Sequence, residues 1–168
     1  FDPHPRYVLG TGDRMSLLTT LDEKLLLLEQ IGINNVIVIP FTADFSQTSP
    51  EEFIERHIAP LGLHTLVVGY NHRFGLGGKG GAHNIGRLAK KYGFESEVFG
   101  QHLVDGMSVS SSEVRKVIAE GDMVLAAKLL GDPYMAILDK EIGGIWHSDH
   151  PAKLLPPPDI YSVVANGY

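Results

Sequence analysis

The chain contains no cysteine. That excludes disulfides, thiolate metal sites and a cysteine nucleophile, and it suits a reducing cytosol, so the expected localisation is cytoplasmic. No apolar run approaches the roughly 20 residues of a membrane-spanning helix, and no signal-peptide pattern opens the chain. Basic residues are few and scattered: 14 Lys and Arg against 20 Asp and Glu give a formal net charge of −6. A basic footprint for nucleic acid is therefore missing. Small molecules are the expected partners, with no nucleic acid and no membrane, and a homo-oligomer stays open. Three catalytic signatures are absent as well: the phosphate loop G-x-x-x-x-G-K-[ST], the dinucleotide turn G-x-G-x-x-G and the nucleophile elbow G-x-S-x-G. The first residue is Phe1 rather than Met, which leaves room for residues upstream in the natural protein.

What is present suits one globular domain with room for an appendage: 168 residues, 43% hydrophobic, with 19 Gly and 10 Pro. "TLDEKLLLLEQIG" (residues 20–32) predicts a helix with Thr20 as N-cap, Glu23 closing a capping box and Gly32 at the stop. "NVIVIPF" (35–41) is a continuous β-branched run and predicts a strand buried on both faces. "SPEEFIERHIAPLG" (49–62) repeats the helix grammar, with Ser49 as cap and Pro50 at the first position. "HTLVVG" (64–69) predicts a second buried strand, "IGRLAKKYG" (85–93) a helix and "FESEVFG" (94–100) a third strand. Strands and helices alternate over short connections, so the expected fold is a parallel α/β sheet with helices on both faces. In such sheets ligands sit beyond the carboxyl ends of the strands. "FDPHP", "GYNHRFG" and "VSSSEVR" all fall at or near such ends.

Three serines stand in a row ahead of a helix in "VSSSEVRKVI" (109–118). Ser110 reads as the N-cap and Glu113 as the other half of a capping box. The backbone N–H groups of Ser111 and Ser112 then lie at the positive end of the helix dipole, with Arg115 one turn in. Amides, hydroxyls and a guanidinium around one point make a phosphate cradle in type. The alternative is an ordinary capped helix, with Arg115 solvated or paired to Glu113 or Asp122. The loop "GYNHRFGLGGKGG" (69–81) has six glycines in 13 residues, enough to close over a ligand or approach a phosphate. Asn71, His72, Arg73 and Phe74 add an amide, an imidazole, a guanidinium and a ring at a strand end. A plain surface loop is the competing reading.

Five segments in order and spacing carry a resemblance: "FDPHP", "LLTTLDEKLLLLEQIGI", "IPFTADFSQTSPEEFI", "VVGYNHRFG" and "DGMSVSSSEVRKVIAEGDMVLAAKLLGDPY". Together they resemble the adenylyltransferase module of the bacterial bifunctional riboflavin kinase/FAD synthetases, over residues 1–134. The resemblance implies a Rossmann-like nucleotidyltransferase fold and transfer of AMP from ATP to FMN, giving FAD and pyrophosphate, with Mg²⁺ accompanying ATP. It implies that Ser110, Ser111, Ser112 and Arg115 bind ATP phosphates, Ser112 standing where threonine is usual. It places Asn71 near the reacting phosphates or ribose and His4 with ATP, so that Asn71 and Arg115 are the candidate catalytic residues. Phe41, Phe45, Arg73 and Phe74 become the candidate flavin contacts.

The family's N-terminal G-x-F-D-G-x-H-x-G-H segment, whose histidines contact the triphosphate, has no match here. The alternatives are therefore a non-catalytic flavin or nucleotide binder, or a related nucleotidyltransferase with another phosphorylated acceptor. The glycine loop also departs, with Gly77, Gly78, Ala82 and His83 where the family often carries arginine and an acidic residue. Residues 135–168 are expected to form a linker and a short β-rich stub of the kinase barrel, of which "KLLPPPDIYSVVANGY" resembles a late strand. The kinase signature G-F-P-T-A-N is absent, and about 34 residues do not bury a barrel core. His147 and His150 in "HSDH" read as solvated loop, and no metal site is expected.

Overall fold

A computed structural model describes residues 1–10, 15–140 and 146–165. In chain order the first elements are α1 (Pro5–Leu9), α2 (Leu21–Gln30), α3 (Pro50–Phe53), β1 (Thr65–Gly69), β2 (Arg73–Phe74) and β3 (Gly80–Gly81). There follow α4 (Ile85–Tyr92), β4 (Glu95–Phe99), β5 (Leu103–Val104), β6 (Met107–Ser108), α5 (Ser111–Ala119) and α6 (Met123–Leu130). Two short strands, β7 (Asp139–Lys140) and β8 (Trp146–His147), pair antiparallel near the C-terminus. The chain divides into two compact units: Phe1–Gly12 with Val38–His102, and Asp13–Ile37 with Leu103–Tyr168.

The first unit is built on β1 and β4, which pair in parallel from Thr65↔Glu95 to Gly69↔Phe99. Parallel neighbours need a crossover, and α4 supplies it. Its buried residues Ile85, Leu88 and Ala89 recur at helical spacing and pack with Ile54, Val68, Phe74 and Phe94. Gly93 ends α4 in the left-handed conformation, and Lys90 and Lys91 lie in its last turn, where cations suit the dipole. Ser49 caps α3 by accepting the Glu52 N–H, with Pro50 at the first position. Beyond Phe53 the chain widens into a π-type turn, Ile54–Ile58, and Gly62 closes the segment.

Two features differ from the sequence expectation. Residues 35–41 form no ladder; among the described residues Asp2 makes the one bridge to this stretch, at Pro40, through Asp2 N–H to Ile39 O and Phe41 N–H to Asp2 O. β-Branched residues favour extended backbone, but a strand also needs a neighbour for its amides. Ile37 is accordingly 60% exposed. In β1, burial alternates rather than covering both faces: Val68 is buried while Val67 is 53% exposed.

The glycine loop has a packing explanation that periodicity could not show. Gly80 lies under the Phe74 ring, and a Cβ there would stand 2.6 Å from it. Gly75 has φ +71°, and a Cβ there would stand 2.6 Å from the Pro50 backbone nitrogen.

The second unit gathers α2, α5 and α6. Val114, Val117 and Ile118 of α5 meet Ala126 and Leu129 of α6 in its core. β5 and β6 form a hairpin over Asp105–Gly106, both with positive φ, as a two-residue Asp-Gly turn requires. Asp105 pairs with Lys128, and Asp122 caps α6 by accepting the Leu125 N–H. The expected Thr20–Glu23 capping box is complete, with Thr20 N–H to Glu23 Oε2 at 2.9 Å and Glu23 N–H to Thr20 Oγ1 at 3.3 Å. Glu23 does more than cap. Its buried carboxylate also accepts the Ile137 N–H and pairs with Lys153 at 2.7 Å.

Crowding beneath the ring makes Gly80→Ala destabilising, by about 1–3 kcal/mol. Urea unfolding followed by circular dichroism should show a lower midpoint, and an unchanged midpoint contradicts this account of the loop.

Candidate functional site

At the start of α5, Ser110 has extended backbone (φ −144°, ψ 152°) and accepts the Glu113 N–H at 3.2 Å, forming its half of the expected capping box. Ser111 and Ser112 are exposed, and their amides belong to the set that a helix leaves without intrahelical acceptors. Arg115 is half-buried and folds back along the first turn. Its Nε donates to Ser16 O at 2.8 Å and its Nη1 to Ser111 O at 3.1 Å. A cation beside the positive end of a helix dipole is unfavourable unless something compensates it. Two carbonyls compensate here, and an anion bound at the same helix start would do so further. Amides, serine hydroxyls and a guanidinium thus share one helix end, which is the chemistry of a phosphate site.

A buried electrostatic centre lies in the same unit. Burial pushes the Tyr134 hydroxyl well above the ordinary phenol range; the Glu23 carboxylate adds to the rise and Arg115 opposes it. Burial pulls the Lys153 ammonium below its ordinary value, against the hydrogen bond and charge of Glu23. The ammonium lies 4.3 Å from the Tyr134 ring centre.

The remaining candidate residues belong to the first unit. Asn71 is exposed in the turn directly after β1, closed by His72 N–H to Gly69 O at 3.0 Å. That is the carboxyl end of a parallel strand, where α/β sheets bind ligands. Arg73 is exposed in β2, whereas Phe74 is buried in the core and packs on Phe53 at 5.5 Å between ring centres. Phe41 and Phe45 are half-buried and lie 5.6 Å apart, each 5.5 Å from Phe1. His4 caps α1, its Nδ1 accepting the Arg6 N–H at 3.2 Å. An apolar hollow of about 310 Å³ is lined by Phe1, Phe53, Ile58, Val67, His72 and Phe74 among others. Of these the sequence singled out His72 and Phe74. Phe53 and Ile58 were visible only as apolar positions in a helix pattern, and Phe1 as the start of "FDPHP".

The structure therefore brings together Ser110, Ser111, Ser112 and Arg115 in the second unit, and Phe41 with Phe45 in the first. Asn71, Arg73 and Phe74 follow one another after β1 in the first unit, where Phe74 reaches Phe45 through Phe53, and His4 lies apart in α1's cap. Among the described residues no three His, Asp or Glu side chains gather as a metal site, and no helix is long and apolar enough to cross a membrane.

A parallel strand pair joined through a crossover helix defines an α/β protein. The FAD synthetase family model matches residues 1–113, and the chain belongs to that family. It is 33% identical over 80% of its length to the bifunctional riboflavin kinase/FMN adenylyltransferase of Bacillus subtilis, covering 42% of that protein. It is 30% identical over 80% of its length to the Listeria monocytogenes protein of the same description, covering 43% of it. A Listeria FAD synthetase is 31% identical over 80% of this chain and 55% of its own. The chain thus spans about half, or less, of the length of these curated relatives. Among solved structures, a crystal structure described as a macrolide-efflux protein from Streptococcus pneumoniae superposes with a TM-score of 0.78 at 20% identity. It covers 92% of this chain and 59% of its own, and it bears on the fold alone.

The raised Tyr134 value sets a pH dependence. An unfolded tyrosine ionises near pH 10, while the folded one stays protonated to higher pH. Its contribution is therefore complete below about pH 10 and is lost as pH rises beyond it. Tyr134→Phe should lower stability at pH 8 and flatten the alkaline fall between about pH 10 and 12. Parallel melting curves that keep the same offset across that range contradict the buried-phenol account.

Proposed function

We propose that the chain is the adenylyl-transferring part of an FAD synthetase, moving AMP from ATP to FMN with release of pyrophosphate. The single observation that carries this is the family match over residues 1–113, which spans the serine-rich start of α5. Its curated relatives are described as FMN adenylyltransferases and FAD synthetases. The residues suit the chemistry. A phosphate oxygen of FMN attacks the α-phosphorus of ATP in line, the bond to the β-phosphate oxygen breaks, and charge gathers on the departing pyrophosphate. Such a reaction needs positioning and neutralisation rather than a side-chain nucleophile. The Ser111 and Ser112 amides, the Ser110–Ser112 hydroxyls and Arg115 supply donors to the ATP phosphates. Asn71 contributes an amide at the end of β1, and His4 a ring at the nucleotide. Mg²⁺ enters on the ATP phosphates and neutralises part of their charge. Phe41, Phe45, Arg73 and Phe74 are assigned to the flavin side. Tail residues 135–168 are read as a linker followed by a remnant or part of a kinase barrel, with little or no riboflavin kinase activity. The protein works in the cytoplasm.

The test is to incubate the chain with FMN, ATP and Mg²⁺ and follow FAD and pyrophosphate by chromatography. FAD formation supports the transferase. ATP and FMN binding without FAD supports a non-catalytic binder, and binding of neither ligand overturns the proposal. Riboflavin with ATP should give little or no FMN. Asn71→Ala should weaken ATP binding or turnover by about 10–100-fold, the size of a hydrogen bond to a charged group. His72→Phe should lose less, because an imidazole that borders the hollow is replaced by another ring. Equal or reversed losses place the amide's role at the wrong residue.

A further inference from the structure

Three consecutive backbone carbonyls, those of Ser16, Leu17 and Leu18, are held by α5 and by the C-terminal tail of the second unit. Ser16 O accepts from Arg115 Nε at 2.8 Å. Leu17 O accepts the Leu154 N–H at 2.9 Å, while the Leu17 N–H donates to Ala152 O at 2.7 Å. Leu18 O accepts from Lys153 Nζ at 2.7 Å and from the Tyr134 hydroxyl at 2.8 Å. Residues 16–18 thus lie alongside residues 152–154, bridged in parallel at Leu17↔Lys153.

Lys153 is the most constrained member. Its side chain is fully buried, and its three ammonium hydrogens meet Leu18 O, Met135 O and Glu23 Oε2, each at 2.7 Å. An ammonium has three donors, so its hydrogen bonding is complete. The Tyr134 hydroxyl shares its one hydrogen between Leu18 O and Leu154 O, at 2.8 and 2.9 Å. The peptide that receives Arg115 is therefore part of a short run whose next two carbonyls are fixed by the tail. A guanidinium is rigid and planar, so where Ser16 O stands decides where the rest of the fork points.

We infer that Lys153 is a positioning residue for Arg115, setting the guanidinium at the start of α5 through the Ser16–Leu18 backbone without touching a ligand. This rests on the reading of Arg115 as an ATP-phosphate contact. It makes the segment around residue 153 part of the nucleotide site's support rather than a free linker. A removed Lys153 would let the Ser16 peptide turn, and Arg115 would keep its charge but lose its aim.

The test uses the full chain. Lys153→Met alone leaves Glu23 buried without its partner and risks unfolding, so the deciding variant is Glu23→Leu/Lys153→Met, which removes both charges. Two readouts are taken well below the melting temperature. The first is exchange of the Arg115 Nε–H with solvent by NMR, which needs no ligand. It should be slow in the parent and approach the rate of an exposed arginine in the pair variant; unchanged slow exchange overturns the inference. The second is ATP affinity by calorimetry. The pair variant should bind about fivefold more weakly, and adding Arg115→Met should weaken it no further than Arg115→Met alone, the non-additivity expected of residues acting through one another. Parent-like affinity in the folded pair variant, or losses that multiply, also overturns it. Absence of ATP binding in the parent removes the phosphate reading, and the exchange measurement then decides the positioning by itself.

Discussion

A carboxylate and an ammonium buried together hold the second unit in its arrangement. Both the Glu23 and Lys153 side chains are fully shielded from solvent. Taking two charges out of water is expensive, and mutual attraction compensates only when every remaining donor and acceptor is also satisfied. Here they are: the carboxylate receives Thr20 N–H, Ile137 N–H and the ammonium, and the ammonium reaches two further carbonyls. Losing one partner of such a pair costs about 3–5 kcal/mol, since the other charge is left buried alone. The arrangement joins the cap of α2, the Ser16–Leu18 run, residues 135–137 and residue 153, which are far apart in sequence. Because the run carries Arg115's acceptor, the same pair bears on the helix start assigned to phosphate.

The first unit depends on a different constraint, close approach. β1 and β4 are held in parallel register by the crossover through α4, and the loop between β1 and α4 must fold tightly against the core. Phe74 fills that core only because Gly80 leaves room for its ring, and Gly75 passes the Pro50 backbone where no side chain fits. The loop that presents Asn71 is thus anchored directly behind it. Glycines that suggested a ligand-closing loop in the sequence are, at these two positions, packing requirements.

Much of the local grammar was legible. The Thr20, Ser49 and Ser110 caps, the parallel pair and the helix between its strands follow from short-range chemistry: hydroxyls at helix starts and apolar residues at fixed periods. Residues 35–41 read as a strand because β-branched composition reports extended backbone, but pairing is a property of neighbours and composition does not reveal it. Glu23 was visible as half of a capping box, yet its ion pair lies 130 residues away and leaves no periodic trace. Lys153 lies in a proline-rich tail, and nothing in the sequence pattern marks it as buried. Arg115 was singled out for its position one turn into α5; its bond to Ser16 O joins residues 99 apart and could not be read from spacing. The serine-rich helix start was legible as a capped helix, and its role toward ATP is the reading proposed above.

The central claim is that the start of α5 receives the phosphates of ATP. A titration of MgATP into the ¹⁵N-labelled chain tests it at the atoms concerned. The account predicts that the Ser111 and Ser112 amide resonances and the Arg115 Nε–H shift together, saturating at one nucleotide concentration. Resonances at that helix start that stay fixed while ATP perturbs amides elsewhere would contradict it.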